Sequence, residues 1–403
     1  MKKSVLITSL IIVVVAMAAC GSGGGESGKP LTDKDVLLRI YKANNGVNWP
    51  ENAQKNWNSE EPIGQWAGVK TNEEGRVTEL RLTNDSLKGI FPKEIGQLSE
   101  LKILWLRMRA SETGEQPFPA SIGDLVNLEN LSLSGGVKNA ELVFPPLGKM
   151  SSLKTLYLGG EARTPEGFGL LQSLVDVEFS GNIGDLPAEL SKLVNLERIF
   201  IRGSAFTGQI PADIGNLKKL KFLLIDKMLV IGRVEPLQGE LPASIWDLEN
   251  IDRIFLRSAS TGGSLPADIS KLTKLAHITI LECGLTGEIP QSLYTMQQLQ
   301  AFSVYNNKLT GTISPEIGNL TALTEFSVYN NQLTGTLPSS MGKMVKLRTL
   351  QVQKNQLTGT IPAELANCPL DGVFVDFSEN QFSDNIAAAL KAHPRFDKWK
   401  FKK

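Results

Sequence analysis

Apolar residues recur every 24 positions in the C-terminal part of the chain, where three successive segments read almost alike. Segment 299–322 reads LQAFSVYNNKLTGTISPEIGNLTA, segment 323–346 reads LTEFSVYNNQLTGTLPSSMGKMVK, and segment 347–369 reads LRTLQVQKNQLTGTIPAELANCP. A fixed period of about 20 to 50 residues is typical of coils stacked into an array. The repetition therefore predicts an elongated solenoid, which offers a surface for binding more readily than an enclosed pocket.

Each repeat follows the pattern L-x-x-L-x-L-x-x-N-x-L-x-G-x-I-P. The L-x-L part alternates apolar and polar residues, which predicts a short half-buried strand. The asparagine amide can donate and accept hydrogen bonds in the following turn, so stacked repeats should align these amides in a ladder. The residues that fill this position are Asn182, Asn307, Asn331, Asn355 and Asn380.

About thirteen strand segments follow from this pattern. They begin at Leu80, Leu104, Leu131, Leu156, Val177, Ile199, Leu223, Ile254, Ile278, Phe302, Phe326, Leu350 and Val375. The spacing is regular from Ile251 onward and irregular over residues 100–260, which we interpret as the specialised part of the array.

The repeat resembles the leucine-rich repeat, in particular its 24-residue plant-type variant, over residues 77–382. The resemblance implies an α/β repeat solenoid, a right-handed superhelix with a concave parallel β-sheet. It also implies short 3-10 or irregular convex segments and a cap at each end. At about 4.8 Å between strands, thirteen strands give a sheet roughly 60 Å long. Such a sheet can hold a protein or peptide but encloses a small molecule poorly.

The N-terminal residues predict a targeting segment. Residues 1–19 combine two lysines, an apolar run and small residues, which is typical of a signal peptide. Met17 to Cys20 resembles a bacterial lipobox, which implies lipidation of Cys20; the alternative is an ordinary signal peptide cleaved nearby. Residues 20–30 are glycine-rich and fit a flexible tether. Gly21 implies, by resemblance to sorting rules, an outer-membrane lipoprotein on the periplasmic or cell-surface face.

Two further segments are interpreted as caps. In residues 31–76, Thr32 is a candidate N-cap for a helix, and Trp49, Trp57 and Trp66 follow. We interpret the tryptophans as the core of the cap, with a sugar-binding platform as the alternative. Residues 383–403 form the C-terminal cap, whose basic tail could instead contact phospholipid headgroups.

The composition does not favour binding to nucleic acid. Lys plus Arg and Asp plus Glu both number 42, so the chain has no net positive charge.

The motifs argue against catalysis. No metal-ligand or catalytic motif is present, so we expect no enzyme, metal or cofactor. His277 and Cys283 should point apart, and Asp176 and Glu178 should form a solvated acidic patch. Cys283 and Cys368 lie about three repeats apart, too far for a disulfide.

Outward strand positions supply the candidate binding face. Phe200, Leu224 and Phe255 should form one column across adjacent strands, with arginines available to a partner's carboxylates. The alternative is that these side chains stack on each other and stiffen the sheet. An apolar insertion, residues 227–233, follows the predicted strand that carries Phe222 and Leu224. The candidate partner-binding residues are Arg198, Phe200, Arg202, Phe222, Leu224, Arg253, Phe255, Arg257, Trp105 and Tyr157.

The sequence therefore predicts a non-catalytic, membrane-tethered, extracytoplasmic binding protein that holds a protein or peptide on its concave face. The membrane attachment would run through a lipid on Cys20, and we expect a monomer. The alternative is a glycan-binding surface lipoprotein that uses exposed concave aromatics as stacking platforms. Those aromatics would be Trp105, Tyr157, Tyr305 and Tyr329.

Overall fold

A computed structural model of the chain describes residues 30–83, 87, 89–111, 114–227 and 237–401. The predicted signal peptide and Cys20 lie outside the described residues. The same holds for the tether before residue 30 and for the apolar insertion after Lys227.

The described chain contains nineteen strands and three α-helices. The helices are α1 (Asp33–Ala43), α2 (Glu51–Gln54) and α3 (Ala388–Lys391). The strands are β1 (Val69–Thr71), β2 (Val77–Leu82), β3 (Ile103–Arg107), β4 (Asn130–Ser134), β5 (Thr155–Gly159), β6 (Asp176–Ser180), β7 (Ile183–Asp185), β8 (Arg198–Arg202), β9 (Ala205–Thr207), β10 (Phe222–Asp226), β11 (Arg253–Arg257), β12 (His277–Leu281), β13 (Ala301–Ser303), β14 (Glu325–Ser327), β15 (Thr334–Thr336), β16 (Thr349–Gln351), β17 (Gln356–Gly359), β18 (Val375–Asp376) and β19 (Gln381–Phe382).

One sheet of fourteen strands runs the length of the molecule in the order β1-β2-β3-β4-β5-β6-β8-β10-β11-β12-β13-β14-β16-β18. Strand β1 pairs antiparallel with β2, and every later neighbour pair in this sheet is parallel. Short parallel sheets, β7-β9 and β15-β17-β19, form where the chain leaves the main sheet. The predicted leucine-rich-repeat solenoid is confirmed.

Short 3-10 turns close most coils on the side opposite the main sheet. They are Lys93–Gln97, Ala120–Asp124, Phe168–Leu170, Ala188–Lys192, Ile214–Asn216, Ala243–Asp247, Ile269–Lys271, Gln291–Thr295, Pro315–Asn319, Ser339–Lys343 and Ala363–Asn367. Proline precedes many of them, where its fixed φ and missing N–H suit the start of a turn. The apolar residues of each coil fill the interior between sheet and turns.

The asparagine ladder predicted from the repeat is present at Asn307, Asn331, Asn355 and Asn380. Asn182 does not complete it, since its buried Oδ1 has no hydrogen-bond partner. The Asn331 amide donates to the carbonyls of Val304 and Val328 at 3.0 Å each, and its Oδ1 accepts from the Leu309 N–H at 2.9 Å. Asn307 and Asn355 repeat these contacts one coil away on either side. Each amide thus satisfies buried backbone groups of its own coil and of the preceding one.

The N-terminal segment covers the first coil. Helix α1 begins at Asp33 with Thr32 as N-cap in a capping box. Trp49, Trp57 and Trp66 are buried, with ring centroids 5.2 Å apart in each successive pair, so the cap-core interpretation holds. Asp33, itself buried, accepts from the Val77 N–H at 2.7 Å and ties the helix to β2.

The C-terminal tail covers the last coil. Lys400 pairs with Asp376 in an isolated parallel bridge, which continues the main sheet by one residue. Leu390 and Trp399 are buried, and Phe401 stacks on Phe377 with ring centroids 5.5 Å apart. No helix among the described residues combines the length and apolar character needed to cross a bilayer.

We expect replacement of Asn331 by alanine to lower the free energy of unfolding by about 2 to 4 kcal/mol, because it leaves buried backbone groups without partners. Urea denaturation followed by circular dichroism measures the change. Asn319→Ala, at an exposed position of a 3-10 turn, is the matched control and should change stability little. Equal stability of the two variants would contradict the ladder's role.

Candidate functional site

The parallel register of β8, β10 and β11 builds the candidate face. Leu224 lies opposite Phe200 on one side and Phe255 on the other. Phe222, on the same face, lies between Arg198 and Arg253. Phe200, Phe222, Leu224 and Phe255 are half-buried, whereas the alternate residues of these strands point into the core. We call these four residues, with Arg198, Arg202, Arg253 and Arg257, the Phe/Arg patch.

The arginines of the patch are already paired with carboxylates of the same face. Arg198 holds Asp176 in a two-pronged contact, with Nε–Oδ1 2.5 Å and Nη2–Oδ2 2.6 Å. The hydrogen bond to Asp176, followed by its charge, raises the pKa of Arg198. Arg202 lies 3.7 Å from Glu178. The expectation of a solvated acidic patch was therefore wrong, because both acids are paired with arginines. The arginines expected to be available to a partner's carboxylates already lie against carboxylates of this chain.

The pairing continues across the next strands. Arg257 Nη1 lies 3.8 Å from Asp226 Oδ2, and Arg253 Nε lies 4.0 Å from Asp252 Oδ2. Neighbouring strands carry charges of opposite sign at facing positions. Each of these guanidinium groups therefore lies near a carboxylate of this chain, either on the next strand or on the adjacent residue. Exposed pairs of this kind add little stability. Only Arg198, with two hydrogen bonds to Asp176, has a contact that sets the orientation of its guanidinium.

Two of the arginines also pack against the phenyl rings. The Arg202 guanidinium lies 5.0 Å from the Phe200 ring centroid, and that of Arg257 lies 5.4 Å from the Phe255 centroid. Phe200 and Phe222 contact each other with centroids 4.9 Å apart. The cross-strand stacking considered as the alternative is thus present. It leaves the four apolar residues half-buried in an ordered array bordered by ion pairs.

Trp105 and Tyr157 occupy the same outward column nearer the N-terminus. Trp105 is 39% exposed, but the Arg81 guanidinium covers it, 3.5 Å from the ring centroid. Arg81 also bonds Glu79 at 2.5 Å. Burial acts to raise the pKa of Glu79, but its hydrogen bonds to Arg81 and Lys70 outweigh burial and lower it. One face of the Trp105 ring, which was predicted to stack on a sugar, is therefore covered by Arg81.

In the C-terminal part of the face, outward side chains cover one another more than the sequence indicates. Tyr305 and Tyr329 stack on each other, with centroids 4.1 Å apart and planes inclined by 12°. Burial, followed by the neighbouring Tyr305, raises the pKa of Tyr329. Ser303 and Ser327, which continue the outward column of Phe255, are buried. They are buried because longer side chains of the next strand cross them, Glu325 over Ser303 and Gln351 over Ser327.

The groups considered for catalysis do not meet. The Cys283 thiol is fully buried and donates to the Leu281 carbonyl at 3.2 Å, and burial raises its pKa. Burial, followed by the charge of Arg253, lowers the pKa of His277, whose Nδ1 has no hydrogen-bond partner. Cys283 and Cys368 are both free and buried. Across the described ranges, no cluster of three or more His, Cys, Asp or Glu residues could hold a metal ion.

Comparison with known proteins agrees with this architecture. The Leucine Rich Repeat family model matches residues 298–320, 322–344 and 346–368. A probable leucine-rich repeat receptor-like protein kinase of Arabidopsis thaliana is 47% identical over 51 residues, which is 12% of this chain and 5% of that protein. The chain therefore spans a small fraction of this curated relative.

Two solved structures share the fold. The PEPR1–AtPEP1 structure superposes with a TM-score of 0.70 at 23% identity, over 90% of this chain and 54% of that one. The Arabidopsis receptor kinase HAESA, solved with the peptide hormone IDA and the co-receptor SERK1, gives 0.65 at 24% identity, over 87% and 58%. The chain is thus a leucine-rich-repeat solenoid that spans little more than half of either structure.

We expect neither Cys283 nor Cys368 to react with iodoacetamide in the native chain at about pH 8, because burial excludes the reagent and raises both thiol pKa values. For Cys368, burial raises the pKa to about 11. Peptide-resolved mass spectrometry measures the modification, and the same chain in urea is the control in which both must react. Native labelling of Cys283 would show that this thiol is accessible and reopen a nucleophilic role.

Proposed function

We propose that the chain is a non-catalytic binding protein that holds a protein or peptide partner on the concave face, centred on the Phe/Arg patch. The observation that carries the proposal is the arrangement of Phe200, Phe222, Leu224 and Phe255. These four half-buried apolar residues lie together at the middle of the sheet. Paired charges surround them, and an apolar centre with a polar rim is the usual anatomy of a protein interface.

The fixed side chains favour binding for a second reason. Ordering a flexible arginine on association costs free energy, and here two hydrogen bonds to Asp176 already orient the guanidinium of Arg198. A partner that covers the rings would lose less entropy than on a surface of free side chains. The solved complex of HAESA with a peptide hormone is a leucine-rich-repeat precedent for peptide binding and supports this class of partner.

The glycan-binding alternative is less favoured by the ring geometry. A sugar stacks on the open face of an aromatic ring, but Arg81 covers one face of Trp105. Tyr305 and Tyr329 cover one face of each other. The phenyl rings of the Phe/Arg patch are grouped with an aliphatic residue, Leu224, which suits apolar side chains of a polypeptide better than a hydroxylated sugar.

The membrane tether is a separate part of the proposal and rests on sequence alone. We propose that Cys20 is lipidated and that the chain is an outer-membrane lipoprotein. The support is the lipobox-like Met17 to Cys20 segment with the glycine-rich residues that follow it.

Phe200→Ala and Phe255→Ala should each weaken peptide binding by about thirtyfold, the loss that corresponds to a hot spot of about 2 kcal/mol. The probe is the best 14-residue peptide selected on the full chain from a displayed random library. Its dissociation constant is measured by fluorescence anisotropy. Phe374→Ala is the matched control, since Phe374 is a 50% exposed phenylalanine outside the patch.

Three results would contradict the proposed function. One is a selection that yields no peptide above background. Another is a peptide that binds Phe200→Ala as tightly as the wild type. The third is a glycan-array signal lost on substitution of Tyr305 or Tyr329, which would favour the alternative.

The Cys20→Ser variant should leave the membrane fraction and lose incorporation of a clickable palmitate analogue, because the acceptor thiol is gone. Cys283→Ser is the control, since its buried thiol should carry no lipid. Lipid incorporation into Cys20→Ser would contradict the assignment.

A further inference from the structure

A second feature of the concave face lies beside the Phe/Arg patch. Between β3 and β6 the face forms an open hollow of about 700 Å³. Its lining includes Arg107, Ser132, Ser134, Tyr157 and Ser180. We call it the Arg107 hollow.

The strand register explains the hollow. Along one outward column, Arg107 lies opposite Ser134, which is followed by Gly159, Ser180 and then Arg202. Side chains no larger than serine therefore occupy this column on β4, β5 and β6. On β8, β10 and β11 the same column holds the longer side chains of Arg202, Asp226 and Arg257. On β4 to β6 the Tyr157 hydroxyl lies over Gly159, and Arg107 lies at one end of the hollow.

Arg107 differs from the other arginines of the concave face. Arg81, Arg198, Arg202, Arg253 and Arg257 all have a carboxylate within 4.0 Å. Arg107 is exposed, and in the part of the chain that the structure describes it has no ion pair. The hollow therefore combines room for a ligand group, a positive charge with no ion-pair partner among the described residues, and hydroxyl donors from serine and tyrosine.

We infer that the Arg107 hollow receives an acidic side chain of the same partner that covers the Phe/Arg patch. The inference rests on the proposed function and adds the chemistry of the partner. A carboxylate complements an unpaired guanidinium, with which it forms charge-assisted hydrogen bonds, and the nearby hydroxyls can donate to it as well. The patch and the hollow lie on one continuous face, so a single extended segment can reach both.

The distance between the two features sets the spacing within the partner. Strand β3 is separated from β8 by four strand intervals and from β11 by six. At about 4.8 Å per interval these are roughly 19 to 29 Å, and an extended peptide covers about 3.3 Å per residue. The acidic residue should therefore lie about six to nine positions from the apolar residues that contact the patch.

The test uses the full chain and 14-residue peptides from the library selection, acetylated and amidated so that side chains carry the only carboxylates. We expect enriched sequences to contain an apolar group and a Glu or Asp at this spacing. Arg107→Gln should weaken binding about tenfold, a modest value for one charge-assisted contact. Replacing the peptide's Glu by Gln should give the same loss. Making both changes should cost little more than either one, because the two groups form one interaction.

Arg348→Gln is the matched control, since Arg348 is an exposed arginine at the far end of the array. The inference is overturned if peptides require Phe200 and Phe255 but show no acidic preference, or if Arg107→Gln binds them unchanged; the proposed function then stands. It is also overturned if matched peptides bind only when their terminal carboxylate is left free or when they carry a phosphate, and the blocked, unmodified peptides do not bind. If no peptide depends on Phe200 or Phe255, the proposed function itself fails.

Discussion

The parallel register from one coil to the next is the constraint on which the structure depends. Each coil bonds to its neighbours through the strands and through buried amides such as Asn331, so a shift at one position would leave both sets of backbone groups unpaired. Repeats of other lengths keep this register because their extra residues lie between strands. The pairing of Phe222 with Arg253 is in register although the two are 31 residues apart.

The same register decides the electrostatics of the concave face. Residues far apart in sequence become neighbours one strand interval apart, and Asp176 meets Arg198 in this way. Most concave arginines are neutralised and held against aromatic rings as a result. The face thus divides into an apolar patch with paired charges and a hollow in which Arg107 has no ion-pair partner among the residues that the structure describes. The proposed partner would then present an apolar group and an anionic group at a fixed separation.

Much of the fold could be predicted from the sequence, because the signals are local and repeated. The L-x-L segments gave the strand positions, the asparagines gave the ladder, and Thr32 gave the start of α1. The sequence also predicted that Phe200, Leu224 and Phe255 form one column. Alternate residues of a strand point outward, and the repeat pattern aligns these positions from one strand to the next. The sequence could not predict which outward side chains are exposed and which are covered or paired by their neighbours. Tyr305 looked like an open platform, but its ring is stacked on Tyr329.

The sequence by itself determined the solenoid, its parallel sheet and the residues that face outward, because these depend on period and alternation. Only the tertiary structure decided which outward residues pair with one another and which remain exposed. Pairing of Glu178 with Arg202, burial of Ser327 and the space beside Arg107 depend on distances between strands. A pattern within one strand carries no information on how far a side chain of the next strand reaches across it.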